Sequence, residues 1–237
     1  MRPFSLSPRL RAVADLVPGG TRLVDVGTDH GRLPIWLIQH GVIDAAVATD
    51  LRSGPLDRAR GAAERWRLTN QISFRLCDGL SAVRPDEAET VTVAGMGGET
   101  IAGILAASPW TAQPGRRYIL QAMSGQDGLR RWLSDSGFAI RQEVLVPEGE
   151  TLYVVLLAEY GPMAPLTDGE CWVGRQAPDM DSPLRMGYLD SEYRKACRAV
   201  EGIAKSEAPL DRLRLPKYVG IRNELDAMRK EWAEWQA

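Results

Sequence analysis

The stretch from Arg22 to Gly31 restricts the possible folds of this chain more than any other part of it. It begins with the valine-rich run Leu23-Val24-Asp25-Val26 and continues through glycines at positions 27 and 31 into an apolar segment that opens at Leu33. This order predicts a strand, a tight turn and a helix, because glycine accepts positive φ and leaves room for a ligand against the backbone. Such a turn after the first strand is typical of an open α/β sheet that binds a nucleotide-like cofactor.

The residues inside this turn discriminate between two cofactors. A dinucleotide fingerprint has three glycines, G-x-G-x-x-G, around a pyrophosphate. Here Asp29 stands in place of the second glycine, and its carboxylate would repel a pyrophosphate. S-adenosylmethionine has no phosphate and carries a cationic sulfonium and an ammonium group, so acidic residues suit it. The turn residues that we assign to S-adenosylmethionine binding are Asp25, Gly27, Thr28 and Gly31.

The rest of the first two thirds of the chain alternates between strand and helix patterns. Five strand candidates separated by helix candidates cover about residues 22–26, 45–49, 72–76, 91–94 and 118–120. Two more, about 139–146 and 152–158, follow each other with no helix between them. Alternation predicts a mostly parallel sheet, and consecutive strands predict a hairpin with one antiparallel edge strand. The sequence therefore predicts an α/β fold with a Rossmann-like sheet.

The last third of the chain has a different pattern. Residues from 161 to about 182 are rich in Pro, Gly and Asp and are predicted to form a linker or loop. Apolar residues then recur at spacings of 3 and 4 from Met186 to Ile203 and from Tyr218 to Trp235, with a breaker from Pro209 to Pro216 between them. Two such seams predict an antiparallel helical hairpin. We expect a cofactor-binding domain over 1–162 and a linker with the hairpin over 163–237.

Acidic residues also end the second and third strand candidates. Asp50, with Leu51 beside it, follows the second strand, where a carboxylate can accept hydrogen bonds from both ribose hydroxyls of a cofactor. Asp78 would accept a hydrogen bond from the adenine amino group, with Gly79 allowing close approach. The alternatives are a solvated loop acid for Asp50 and a plain turn-forming Asp-Gly pair at 78–79.

Composition excludes several classes of site. The chain has 237 residues, a formal charge of −2, two histidines and three cysteines without a C-x-x-C pair. A zinc ribbon and a His-based metal centre are therefore not expected, and the free thiols fit a reducing cytoplasm. No apolar run approaches membrane-spanning length. Nucleic acid would have to be bound by a local basic patch. We expect a metal-free monomer in the cytoplasm.

Five stretches together match a known family: Leu6–Leu10, Asp25–His30, Asp78–Leu80, Gly95–Gly98 and Leu120–Leu133. The chain resembles the class I S-adenosylmethionine-dependent methyltransferases and, more narrowly, the bacterial tRNA N1-adenine methyltransferases of the TrmK family, which modify adenine-22 in the D-arm. The resemblance covers nearly the whole chain and implies tRNA as substrate and a coiled-coil-like C-terminal hairpin. It departs from the family at Ala122, because members of the family have a proline after the glutamine that corresponds to Gln121.

The segment after the fourth strand limits which substrate atom can be the methyl acceptor. Gly95, Met96 and Gly97 are expected where the target meets the methyl donor, and we assign them to the cofactor site. Methyltransferases directed at exocyclic amines of nucleic acids have Asn/Asp-Pro-Pro-aromatic there, which this chain lacks. Carbon-5 cytosine chemistry needs a cysteine nucleophile, and Cys77 lies at the wrong strand end. A ring nitrogen such as adenine N1 needs neither, although its base must leave the stack.

Asp29 and His30 are the candidate catalytic pair. Asp29 could bind the ammonium group of the cofactor or hold the amino group of the target base. His30 could accept a proton or orient a neighbouring group. The alternative is a structural pair that caps the helix opening near Leu33.

Substrate contacts are predicted near the mouth of the site. Arg9, Arg11 and Arg52 could bind phosphates or simply be solvated, and the resemblance puts Gln121 on the substrate side. Further basic residues that could hold RNA around the hairpin are Arg194, Lys195, Arg198, Lys205, Arg212, Arg214 and Lys217. Two rival functions remain: a methyltransferase acting on another RNA or a small molecule, and a non-catalytic RNA-binding protein with this fold.

Overall fold

A computed structural model of the chain describes residues 5–180 and 182–236. Its strands are β1 (Leu23–Val26), β2 (Ala46–Asp50), β3 (Ile72–Leu76), β4 (Thr90–Gly97), β5 (Arg117–Ser124), β6 (Phe138–Glu148) and β7 (Thr151–Tyr160). They form one sheet in the order β3-β2-β1-β4-β5-β7-β6.

Helices follow the strands as the alternating pattern predicts. They are α1 (Pro8–Asp15), α2 (Arg32–Gln39), α3 (Ser53–Trp66), α4 (Gly98–Ala106), α5 (Gln126–Asp135), α6 (Asp168–Val173), α7 (Arg185–Lys205) and α8 (Pro209–Trp235). None of the helices in the described part of the chain is long and apolar enough to cross a membrane.

The strand directions confirm a mostly parallel sheet with its antiparallel pairing at one end. Strands β1 to β5 run parallel, while β7 pairs antiparallel with both β5 and β6. The single antiparallel strand, β7, thus lies next to the outermost strand, β6. Strand order reverses between β1 and β4, and the carboxyl ends of strands at such a reversal flank a crevice that suits a ligand.

Buried apolar side chains on both faces of the sheet explain its rigidity. Strands β1 and β2 are buried along their whole length, as expected for parallel strands covered on both sides. One cluster packs α4 and α5 against one face of the sheet, and a second packs α1, α2 and α3 against the other face. The turns that leave the carboxyl ends of the strands are therefore held on a fixed base.

The C-terminal region confirms two long helices but corrects their boundaries. The predicted breaker is wrong: α8 begins at Pro209 and continues through Pro216. Pro209 is tolerated because it lies in the first turn, where its missing N–H is not needed. Pro216 lies inside the helix and costs helix propensity, which the burial of Ile221, Leu225 and Trp232 offsets. The predicted linker also contains a helix, α6, whose N-cap is Thr167 in a capping box.

Candidate active site

A cavity of about 550 Å³ opens at the carboxyl ends of β1, β2 and β4. Most of its lining comes from the turns that follow these strands and β3. The lining residues are Arg9, Leu10, Asp25, Val26, Gly27, Thr28, Asp29, His30, Arg32, Leu33, Thr49, Asp50, Leu51, Arg52, Asp78, Gly79, Ala94, Gly95, Met96, Thr100 and Ile104. The topology thus brings together turns that are up to about 80 residues apart in the sequence.

The turn after β1 provides the floor of the cavity. Gly27 has a φ of +69°, and a Cβ at this position would collide with the side chain of Met96. The amides of Gly27 and Thr28 both donate to the carbonyl of Thr49, at 2.8 and 3.0 Å. The positive φ favours glycine at position 27, and the two bonds to Thr49 fix this turn against β2.

Asp25 is buried beneath this turn. The hydroxyl of Thr92 donates to its carboxylate at 2.7 Å. Burial raises the pKa of Asp25 to about 6, and the nearby Asp50 carboxylate also raises it, whereas the hydrogen bond from Thr92 lowers it. A buried carboxylate of this kind would be stabilised by a cation in the cavity.

Two further carboxylates line the cavity, from the ends of β2 and β3. Asp50 is buried and accepts the amide hydrogen of Arg52 at 2.9 Å, so the interpretation of Asp50 as a solvated loop acid is wrong. Asp78 is exposed within the cavity wall. The hydroxyl of Thr49 donates to the carbonyl of Gly79 at 3.0 Å. This bond ties the turn after β3 to β2.

Asp29 and His30 lie at the mouth of the cavity. Asp29 adopts a left-handed φ of +50°, and its side chain is 66 % exposed. Its Oδ1 atom is 3.7 Å from His30 Nε2 and 3.6 Å from Arg58 Nη2. The N-cap of α2 is Gly31, and no side chain caps this helix. The pair therefore does not cap α2, and that alternative is wrong.

The segment after β4 forms the wall opposite the acidic turns. A β-bulge between Ala94 and Met96 interrupts the register of β4 with β5, and Gly95 has a φ of +84°. Gly95 and Met96 therefore face the cavity together with Thr100 and Ile104 of α4. The sequence interpretation missed these α4 residues, although their place in the first two turns of the helix after β4 could have indicated them.

Four residues assigned to the site do not line the cavity. Gly31 is buried and faces Ala59, 3.2 Å from where its Cβ would lie, so it serves helix packing. Gly97 is the N-cap of α4. Arg11 is exposed, stacks on Trp36 and pairs with Asp15 at 2.7 Å. Gln121 is completely buried.

The other predicted basic residues do reach the cavity. Arg9 and Arg52 line it, and so does Arg32, which the sequence interpretation missed. Arg9, Arg32 and Arg52 line the same cavity as Asp29 and Asp50, so its lining carries both positive and negative charges. Such a lining can accept a cationic ligand inside and an anionic chain outside.

The lining fits S-adenosylmethionine better than a dinucleotide. Four carboxylates, from Asp25, Asp29, Asp50 and Asp78, line a cavity large enough for a nucleoside derivative. They suit an ammonium group, a sulfonium and a ribose diol, whereas a pyrophosphate would be repelled. Among the described residues, no group of three or more His, Cys, Asp or Glu side chains could hold a metal ion.

Comparison with known proteins gives consistent matches. Residues 6–156 match the family described as "Methyltransferase domain". The tRNA (adenine(22)-N(1))-methyltransferase of Bacillus subtilis is 36 % identical over 169 residues, which cover 71 % of each chain. The crystal structure of the B. subtilis M1A22 tRNA methyltransferase TrmK has a TM-score of 0.85 at 28 % identity, covering 95 % of this chain and 99 % of that one. Streptococcus pneumoniae Sp1610 in complex with S-adenosyl-L-methionine has a TM-score of 0.80 at 32 % identity, covering 95 % and 100 %.

Proposed function

The chain belongs to the tRNA (adenine-22-N1)-methyltransferase family, and we propose that it transfers a methyl group from S-adenosylmethionine to N1 of adenine-22 in the D-arm of tRNA. The observation that carries this proposal is the cavity, in which four carboxylates lie opposite the bulged segment Gly95-Met96. This arrangement provides a site for a cationic methyl donor and, beside it, space for a flat base.

Each acidic residue is assigned to a different part of the cofactor. Asp50 is placed to accept hydrogen bonds from the ribose hydroxyls, and Asp78 from the adenine amino group. Asp25, beneath the turn, supplies negative charge for the cationic end. Once bound, S-adenosylmethionine supplies an activated methyl group, which a lone pair can accept in line as the bond to sulfur breaks.

The remaining residues position the base. Adenine N1 has an in-plane lone pair, so orientation and exclusion of water supply most of the acceleration. The ring becomes positively charged on methylation. Asp29 is exposed at the mouth, where its carboxylate can accept a hydrogen bond from the adenine amino group and stabilise that charge. His30, 3.7 Å away, orients Asp29.

The tRNA would contact the mouth of the cavity and the hairpin. Arg9 and Arg52 are placed to bind phosphates next to the flipped nucleotide. On the hairpin, Lys195 pairs with Glu192 at 2.6 Å and Lys217 lies 3.7 Å from Asp168, so these lysines would give only auxiliary contacts. We propose that a monomer works in the cytoplasm, without metal.

We also propose the division into a methyltransferase domain over 1–162 and a C-terminal region over 163–237. The buried cluster that covers one face of the sheet includes Tyr188, Leu189 and Trp232 from the hairpin. The base of the hairpin is therefore continuous with the core, and its tip carries exposed Leu210 and Leu213. This arrangement suits an arm that is fixed at its base.

Replacing Asp50 with alanine should weaken S-adenosylmethionine binding by about 1.5–3 kcal/mol, the range for hydrogen bonds to a charged group. Calorimetric titration measures this loss directly. Asp44, an exposed acid outside the cavity, provides the control, and its alanine variant should bind normally. Unchanged affinity in the Asp50 variant would remove this residue from the site.

Replacing Asp25 with asparagine should stabilise the free protein and weaken cofactor binding. The pKa of Asp25 is raised to about 6 in the folded state, above its unfolded value, so the folded protein loses stability as pH rises from about 4 through 6. The variant should unfold at a higher temperature than wild type at pH 8 and at a similar one near pH 4. Its affinity for S-adenosylmethionine at pH 8 should fall at least about tenfold. Lower stability of the variant at pH 8 would contradict this account.

The proposed function is tested with two tRNA transcripts that differ only at position 22. Methyl-labelled S-adenosylmethionine should label a transcript with adenine at this position and not one with guanine. Equal labelling of both would favour another RNA position. Cofactor binding with no labelling of any tRNA would favour a small-molecule substrate, and RNA binding without cofactor binding would favour the non-catalytic alternative.

A further inference from the structure

Gln121 lies completely buried at the junction of the cavity wall and α1, without lining the cavity. Its side-chain oxygen Oε1 accepts two hydrogen bonds, from the amide of Gly95 at 3.1 Å and from Nη1 of Arg9 at 2.5 Å. Its Nε2 donates to the carbonyl of Ala122 at 2.8 Å and contacts Met123 Sδ at 3.7 Å. Both ends of this amide are therefore satisfied, which fixes its orientation.

The bond to Gly95 replaces a missing bond of the sheet. Ala94 pairs with Gln121 and Met96 pairs with Ala122, so Gly95 is the extra residue of the bulge. The amide of such a residue is left without a partner in the ladder. The Gln121 side chain supplies that partner and so holds Gly95, with its φ of +84°, where the segment turns toward the cavity.

The bond to Arg9 fixes the basic side of the mouth. The backbone amide of Arg9 donates to Glu148 at 2.9 Å, and its guanidinium lies 5.6 Å from the centre of the Tyr153 ring. These contacts hold the start of α1 against β6 and β7. The bond to Gln121 holds one guanidinium nitrogen of Arg9 beside the cavity wall, and the guanidinium has further N–H groups that can donate to an anion.

We infer that Gln121 is a positioning residue, which sets the Gly95 turn and the Arg9 guanidinium relative to each other so that the phosphate of the incoming nucleotide and its base enter in register. This inference rests on the proposed function. It also replaces the expectation that Gln121 touches the substrate. A single buried carbonyl oxygen thus couples the wall at which the methyl group is transferred to the residue that binds the backbone of the RNA.

The test is a double-mutant cycle between Gln121→Leu and Arg9→Met. Each single variant should weaken tRNA binding about tenfold, as for a lost hydrogen bond to a charged group, and should lower the salt dependence of binding by about one phosphate contact. The double variant should bind tRNA no more weakly than Arg9→Met alone. Affinity for S-adenosylmethionine should stay within about threefold of wild type in Arg9→Met, because Arg9 is assigned to the tRNA.

Hydrogen exchange distinguishes the bond of Gln121 to Gly95 from its bond to Arg9. Hydrogen exchange at the Gly95 amide should speed up in Gln121→Leu and stay slow in Arg9→Met. Additive losses in the cycle, or slow exchange at Gly95 in Gln121→Leu, would overturn the inference.

Two provisions keep the test decisive. If Gln121→Leu does not fold, Gln121→Met preserves the volume and flexibility of the side chain and takes its place in the cycle. If the wild-type protein does not methylate tRNA, the proposed function fails, while the exchange rate at Gly95 still decides whether Gln121 holds the bulge.

Discussion

Replacing Asp29 with asparagine is expected to slow methyl transfer about 100- to 1000-fold, by analogy with the loss of one preorganised electrostatic contact. Adenine acquires a positive charge as N1 is methylated, and the Asp29 carboxylate is an exposed negative group at the mouth of the cavity. The benefit arises mainly in the transition state, so kcat should fall more than KM rises. The measurement is the single-turnover rate at saturating cofactor and tRNA.

Asparagine at position 29 removes the charge and should preserve the backbone conformation. Asp29 has a left-handed φ of +50°, which asparagine tolerates almost as well as aspartate does, so the turn should keep its shape. Asp57→Asn, in an exposed residue of α3 outside the cavity, serves as the control. Arg58→Gln tests whether the ion pair at 3.6 Å matters to the rate, and we expect a change of less than about threefold for an exposed pair.

The outcome distinguishes the two roles of Asp29. A single-turnover rate of Asp29→Asn within about threefold of wild type would contradict the catalytic role of Asp29. If the affinity for S-adenosylmethionine then fell instead, Asp29 would be a ligand of the ammonium group. His30→Ala should show a smaller loss of rate than Asp29→Asn, because His30 acts through Asp29.

Replacing Arg130 with methionine is expected to cost about 3–5 kcal/mol of folding free energy, the range for breaking a buried ion pair from one side. Arg130 is completely buried in α5. Its guanidinium donates to Glu143 of β6 at 3.0 and 2.7 Å and to the carbonyls of Cys171 and Trp172 at 3.1 and 2.9 Å. Methionine would leave a buried carboxylate and two carbonyl groups without their donor.

The neighbouring residue provides a matched control. Arg131 also carries an ion pair, with Asp168, but both side chains are more than one-third exposed, so Arg131→Met should cost less than about 1 kcal/mol. Urea unfolding monitored by circular dichroism gives both values. In the double variant Arg130→Met/Glu143→Leu, removal of the stranded charge should recover part of the loss. Equal effects of Arg130→Met and Arg131→Met would contradict a central role for the buried pair.

Local sequence signals sufficed to predict most of the sheet and its cofactor turn. Valine-rich runs followed by glycine or aspartate have few alternatives to a buried parallel strand with a turn at its carboxyl end. The same signals predicted that Asp25, Asp50 and Asp78 lie at one edge of the sheet, because parallel strands have their carboxyl ends at the same edge. The pattern also predicted the long helices of the hairpin.

The rest depended on contacts between distant segments. From the sequence, Gln121 is a polar residue at the end of a strand. It is buried because it bonds to the bulged residue Gly95, and no local sequence pattern predicts that bulge. Helix α6 lies in a stretch that is rich in Pro and Gly. It begins at the capping box of Thr167, and the carbonyls of Cys171 and Trp172 near its end accept hydrogen bonds from the distant Arg130. Pro216 continues α8 because tertiary packing outweighs its low propensity.

The most direct test of the account is the identity of the methylated nucleoside. An unmodified tRNA transcript with adenine at position 22 is incubated with the protein and S-adenosylmethionine, digested, and analysed by mass spectrometry against standards of 1-methyladenosine and N6-methyladenosine. The account predicts 1-methyladenosine, at close to one per tRNA, because the segment after β4 lacks the residues that serve an exocyclic amine. N6-methyladenosine, or any other methylated nucleoside as the main product, would contradict it.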